Sequence, residues 1–426
     1  MHLVIINQVY APDMAATAQL LAELAPGLVA RGHEVTVVAS GERTNRELMG
    51  GVEVLRVPAT RLGKKTLLHR AADYASFYAG AFGVLAKLSR RRPDAYLALT
   101  TPPLIAAVPQ LVAMGRAPTV ALIQDLYPDV AVALGAVAPG SATHKAWAAA
   151  TRASLAKAER VIALSEAMAG HLSAYGVSPE RLDVIPNWAL GELEAAPQAG
   201  AGTAARLEYG LGDRFVVMYS GNHGAGHTFE TLLAAARRLR DRTDIAFAFV
   251  GDGVRKGEVE RFVSREGLAN VRLFPLAPRE RLADSLAAGD LHVVTMRDGL
   301  EGLIVPSKFY GILAAARPTL FIGPRTDAIA SAVGQVGCGF AFDNGDVSGV
   351  TDAIVRLASS REDARAMGQR GRVHLETELT RERAIDRYEQ SLIRATRAVA
   401  ARSAPPQTSS APAAMSGAGT GREATA

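Results

Sequence analysis

The segment Asp298 to Pro318, DGLEGLIVPSKFYGILAAARP, puts an acid, a flexible glycine and a lysine within one short stretch. It follows an apolar run, Leu291 to Thr295, so Glu301 and Gly302 fall on the loop just beyond a strand. Pro306 and Ser307 read as the start of a helix, which puts Lys308 in its first turn. A cation there opposes the helix dipole, so a bound anion is its natural partner. Together these groups can hold a sugar hydroxyl and a diphosphate; the plain alternative is that Glu301 is a surface acid. Two glycine turns offer the same kind of anion contact: Gly221, Asn222, His223, Gly224, Ala225, Gly226, and then Gly251, Asp252, Gly253 with Arg255 and Lys256 just beyond. Glycines let backbone N–H groups approach a phosphate closely, but such turns also serve ordinary strand-to-helix geometry. Asp125, at the end of a strand in the first half, either faces the same site or caps the helix from Asp129 onward.

The elements that must position these residues repeat. Short β-rich runs alternate with Ala-rich helical stretches, the pattern of βαβ units winding a parallel sheet. In the first half the runs are Leu3 to Asn7, Glu34 to Ala39, Val52 to Val57, Ala95 to Thr100, Val120 to Gln124, Arg160 to Leu164 and Asp183 to Ile185. A second series begins at Phe215 to Ser220 and continues through Ile245 to Val250, Val271 to Phe274, Leu291 to Thr295, Thr319 to Ile322 and Gly339 to Phe342. The expected organisation is a Rossmann-like domain over 1–190, a linker over 191–205 and a second such domain over 206–378. A helix over 379–402 then returns toward the first domain, and a Pro-, Ala- and Ser-rich tail over 403–426 is too poor in apolar bulk to order itself.

Composition narrows the setting. A single cysteine, Cys338, among 426 residues excludes a disulfide framework and a cysteine-based zinc cluster, and points to the cytoplasm. The first strand begins at once, leaving no room for a signal peptide, and the most apolar window, Leu104 to Ile123, is broken by Pro109, Arg116 and Pro118. Net charge is +5, concentrated between Arg61 and Arg92, where eight Lys or Arg face one acid, Asp73. The helix inside that stretch carries Leu67, Leu68, Tyr74, Phe77, Tyr78, Phe82 and Leu85 among its apolar positions. It either covers a core or lies on an anionic membrane surface. No reader motif for nucleic acid is present. His33, His69 and His144 read as surface residues, and His223 and His227 as neighbours of a nucleotide.

Several blocks in order, NQVYAPDMAATAQ, ARGHEVTVVAS, QDLYPDVAVALG, VIPNW, YSGNHGAGH, FVGDG and EGLIVPSKFYGILAAARP, resemble glycosyltransferase family 4, in the branch that builds colanic, O-antigen and capsular polysaccharides. The resemblance runs from residue 3 to about residue 395 and implies an α/β GT-B fold, two Rossmann-like domains facing a cleft. It also implies retention of anomeric configuration, no metal and no other cofactor. The donor would be a UDP- or GDP-sugar, and the acceptor a lipid-linked or polysaccharide chain at the inner face of the cytoplasmic membrane. Carried across residue by residue, Glu301 engages the donor sugar, and the amides of Gly302 and Leu303 face sugar and diphosphate. Ser307 and Lys308 meet the phosphates, with Lys256 as a further cation. Ala16 and Thr17 stand at the first-domain phosphate loop, and Asp125 joins Glu301 and Lys308 as the catalytic set. Gly311 stands where a second glutamate usually holds the ribose, Ala15 and Ala16 where a glycine pair is common, and Gln124 with Asp125 where His-Asp is common. Two other readings share the scaffold, a UDP-sugar 2-epimerase and a sugar-nucleotide-binding subunit without catalysis.

Overall fold

The computed structural model describes residues 1–403 apart from 14, 61, 63–66, 194, 196 and 199. The expected tail therefore lies outside the described residues, as do Arg61, Lys64 and Lys65 of the basic stretch and the side chains of Leu67, Leu68 and Arg70. Strands alternate with helices twice. The first series is β1 (His2–Ile6), β2 (Glu34–Gly41), β3 (Asn45–Met49), β4 (Val52–Pro58), β5 (Ala95–Ala98), β6 (Thr119–Leu122), β7 (Arg160–Ala163) and β8 (Leu182–Val184). The second is β9 (Phe215–Ser220), β10 (Ile245–Val250), β11 (Val271–Phe274), β12 (Leu291–Thr295), β13 (Thr319–Ile322) and β14 (Gly339–Phe342). They build two sheets, β3-β4-β2-β1-β5-β6-β7-β8 and β11-β10-β9-β12-β13-β14.

Every strand pair is parallel except β3 with β4. Parallel strands covered by helices on both faces read as unbroken apolar runs, and β10, IAFAFV, is buried at all its positions. Strand β3, NRELM, has no such run. It is an exposed edge strand joined to β4 through Gly50 and Gly51, whose φ of 57° and 81° suit a two-residue hairpin turn. In each sheet the chain order reverses once, between β1 and β5 and between β9 and β12. Ligands of open α/β sheets bind beyond the carboxyl ends of the strands at such reversals.

Helix Leu67–Ser89 buries Phe77, Ala81, Leu85 and Leu88, the face that packs against the first sheet, while Phe82 on its other side is half exposed. The interval expected to be a plain linker holds a short turn, Gly191–Leu193, and the start of helix Thr203–Glu208, whose Gly202 and Ala205 amides donate to the Asp284 carboxylate. Helix Arg361–Glu378 packs on the second sheet's side, and Arg372, almost fully buried, donates to the carbonyls of Leu193 and Ala314. Helix Arg381–Ser403 crosses back to the first sheet, burying Tyr388, Leu392 and Ala395 completely against β5, β6 and the first helix, Ala16–Ala30. His33, expected at the surface, is instead sealed under this helix, with Nε2 2.7 Å from Glu389. No described helix is long and apolar enough to cross a membrane.

Candidate active site

The carboxyl ends of β9 and β12, neighbours at the second sheet's reversal, carry the two segments that sequence singled out. After β9 the chain turns through Gly221 to Gly226, and helix Glu230–Arg238 begins after Phe229. After β12 it passes Asp298 to Ile304 and enters helix Lys308–Ala314, with Ser307 at its N-cap and no side-chain cap bond. The two segments touch: Arg297 N–H donates to the Gly226 carbonyl at 2.9 Å, and a Cβ on Gly226 would lie 3.2 Å from Leu300 and 3.3 Å from Ile304. Beside them opens a cleft of about 960 Å³ whose walls include Thr228, Arg255, Arg297, Asp298 and Asn344. That is within the usual range for small-molecule sites, roughly 300–1,000 Å³. Neither Glu301 nor Lys308 forms its wall; it adjoins the Glu301 loop through Arg297 and Asp298.

Lys308 leaves the first turn of its helix and lies against the end of β9. Its Nζ contacts the Tyr219 hydroxyl and sits 3.7 Å from the centre of that ring. No carboxylate among the described residues pairs with it, and burial holds its ammonium well below the usual lysine range. Two imidazoles share the neighbourhood. His223 is buried against the backbone of Asp252 and Gly221, and His227 Nδ1 lies 2.7 Å from the Thr295 carbonyl. Burial first, and the Lys308 charge second, lower His223 to about 4 and His227 to about 3, so both are neutral near pH 7.

The first domain meets this assembly directly. Asp125, beyond β6, forms an isolated antiparallel bridge with Ile304, and Leu126 N–H donates to the Leu303 carbonyl at 2.9 Å. Asp125 does not cap the next helix, Asp129–Ala133, whose N-cap is Pro128 without a side-chain bond. Its carboxyl lines a small apolar hollow with Leu99, Ile105 and Leu126, and burial raises it to about 6. Gly302 adopts φ +71°, and a Cβ there would stand 2.8 Å from His171 Cδ2 and 3.0 Å from the Ala167 carbonyl carbon. Both belong to helix Glu166–Ala174 of the first domain, and His171 Nε2 also lies 3.2 Å from the Glu301 carbonyl. Glu301 turns its own carboxylate back to accept the Gly299 amide at 2.8 Å.

Comparison with known proteins gives the family and the fold. Residues 16–188 match the glycosyl transferase 4-like domain and residues 214–360 the glycosyl transferases group 1 domain. A protein named as the colanic acid biosynthesis glycosyl transferase WcaI of Escherichia coli is 30% identical over 324 residues, spanning 72% of this chain and 79% of that one. The chain belongs to the family 4-like glycosyltransferases. A protein named as the glycosyltransferase WbjE of Pseudomonas aeruginosa is 29% identical over 66% of this chain and 70% of its own length. Among solved structures, the sucrose-phosphate synthase of Thermosynechococcus elongatus superposes with a TM-score of 0.74 at 17% identity, over 93% of this chain and 100% of that one. Anabaena HepE in complex with UDP and glucose superposes at 0.68 and 16% identity, over 92% and 99%. These matches give the GT-B fold, two Rossmann-like sheets with a cleft between them.

Within this glycosyltransferase, the segment from Glu301 to Lys308 meets Asp125 through the Ile304 bridge and Gly221 through Lys308, whose Cε lies 3.7 Å from where a Gly221 Cβ would stand. Several of the expected donor contacts have partners within the protein. The amide of Leu303, expected to face sugar and diphosphate, is engaged within the protein, donating to the Leu300 carbonyl at 3.0 Å, and the Gly302 amide lies beside the Asp327 carboxyl. Gly251 and Gly253 serve close packing of one turn on the other, since a Cβ on them would lie 2.0 Å from the Gly221 oxygen and 2.5 Å from the His223 oxygen. Arg255 is held by Glu230, Glu258 and the His227 carbonyl. Lys256 opens helix Lys256–Glu266, and Ala16 and Thr17 open helix Ala16–Ala30, whose N-cap Ala15 offers no side-chain acceptor. Sequence reasoning missed Tyr219, His171 and Asp327. Only Asp327, a helix N-cap whose carboxylate accepts the Ile329 amide at 2.8 Å, carried a readable signal.

Proposed function

We propose that this glycosyltransferase transfers a sugar, with retention and without a metal, from a UDP- or GDP-sugar to a lipid-linked or polysaccharide acceptor. One observation carries the reading: Glu301 and Lys308 flank a loop that is bridged backbone-to-backbone to Asp125 of the opposite domain. Pairing one acid and one cation of the donor half with an acid of the other half suits a donor held on the second sheet and an acceptor brought by the first. HepE, solved with UDP and glucose, lends the nucleotide sugar its support, and the names of WcaI and WbjE lend theirs to surface polysaccharide synthesis.

In this reading Glu301 holds a hydroxyl of the donor sugar. The bond from the anomeric carbon to the diphosphate breaks as the acceptor oxygen attacks from the same face, and the acceptor's proton passes to the leaving phosphate oxygen. Lys308 and the Ser307 hydroxyl stabilise the charge that grows on the diphosphate, a role that strengthens in a water-poor site. Asp125 orients the acceptor hydroxyl. The test is transfer from radiolabelled UDP- and GDP-sugars to a membrane-lipid extract. Glu301→Gln is expected to cut transfer by about 10²-fold or more while nucleoside diphosphate binding persists. Full activity in that variant sinks the assignment, and label exchange at the second carbon of the sugar without acceptor would favour the epimerase instead. The same reading seats the chain on the inner face of a membrane, supported by Phe82 standing exposed on the helix that also presents Lys87. Salt-sensitive sedimentation with anionic vesicles checks it.

A further inference from the structure

A lysine that must meet a diphosphate needs to be held still and kept from other anions. Lys308 meets both conditions through one side chain. Tyr219 closes β9 with its ring fully buried, edge-on to Phe229 and 5.0 Å from the His223 ring, so its position is fixed by the core. Its hydroxyl donates to the Asn222 carbonyl at 2.8 Å, which pins the first glycine turn, and accepts from Lys308 Nζ. The ammonium also lies over the ring face. Of the two imidazoles beside this seat, His223 is buried and His227 half-buried, and neither is a carboxylate.

We propose that Tyr219 is a positioning residue that seats the Lys308 ammonium above the Gly221–Gly224 turn, with no carboxylate among the described residues paired to it, so that a bound diphosphate supplies its negative partner. This rests on the donor site proposed above. The tyrosine itself does not touch the donor; it acts through Lys308. Replacing its hydroxyl leaves the ring in the core but frees Nζ to swing away and releases the Asn222 carbonyl.

The experiment is a double-mutant cycle read by calorimetric binding of inorganic pyrophosphate and of UDP to Tyr219→Phe, Lys308→Gln and the double variant, with thermal midpoints measured alongside. Loss of one charge-supporting hydrogen bond is expected to weaken pyrophosphate binding by about tenfold in Tyr219→Phe. In the Lys308→Gln background the same change is expected to do nothing further, because its route is gone. Losses that add in the double variant, or a Tyr219→Phe protein that binds as the parent does, overturn the proposal while leaving the donor site intact. A parent protein that binds neither probe overturns the donor site itself. Should Tyr219→Phe fail to fold, Lys308→Arg tests the same seat: a planar guanidinium keeps the charge but not the fit, and binding equal to the parent overturns the proposal.

Discussion

Asp125 shows how a residue suited to chemistry can cost stability. Its carboxyl sits over an apolar hollow and is raised from 3.8 to about 6 by burial. A folded-state value above the unfolded one favours the protonated form, so the folding contribution is fully present below pH 3.8 and is lost as pH rises through about 6. Asp125→Asn removes that loss. Above pH 6 it is expected to be more stable than the parent by on the order of 1 kcal/mol, while transfer falls. Thermal midpoints from pH 4 to 8 read this: the two curves converge at the acid end, part between about pH 4 and 6 and stay apart above it, and curves parallel over the whole range would refute it. The residue types of Glu301, Lys308 and Asp125 were legible because strand ends and helix starts could be located from apolar runs. Tyr219 was not, since an aromatic ending a buried strand looks like core until the lysine beside it is seen.

At the scale of elements, the loop from Asp298 to Ile304 joins the two sheets. Gly302 permits this twice over, by a φ that side chains resist and by leaving room for Ala167 and His171. Gly302→Ala would add strain of about 1–3 kcal/mol and push the domains apart. The expected result is a fall in kcat/KM of about 10²-fold from misplacement alone, with UDP affinity of the second domain little changed. Steady-state kinetics set against equilibrium UDP binding separates the two, and an unimpaired kcat/KM would mean that the seam is dispensable. The βα alternation pointed to thirteen of the fourteen described strands, most of which are apolar runs. Strand β3 escaped notice because its side chains face water and its pairing comes from a hairpin, not from burial. The partner of the Leu303 amide was hidden for a related reason: sequence marks a flexible loop but not the Leu300 carbonyl that turns back onto it.

The whole molecule is tied at more than the seam. Helix Arg381–Ser403 lies on the first sheet, with Tyr388 edge-on to Trp188 at 6.3 Å between ring centres, while the indole N–H donates to Glu23 at 2.7 Å. One apolar cluster runs from the strands of the first sheet through Phe309 and Leu313 to this helix, so the halves share a core. Tyr388→Ala is expected to cost about 3–5 kcal/mol, since a fully buried ring leaves a cavity. Calorimetry should then show the first sheet melting at lower temperature, and an unchanged midpoint would deny the helix its role. The same helix bears on synthesis. The ribosome extrudes β1 to β8 long before it reaches Arg381–Ser403, so the nascent first half emerges with the groove over β5 and β6 bare of its own cover. Chaperone occupancy on this chain should accordingly last until helix Arg381–Ser403 leaves the exit tunnel.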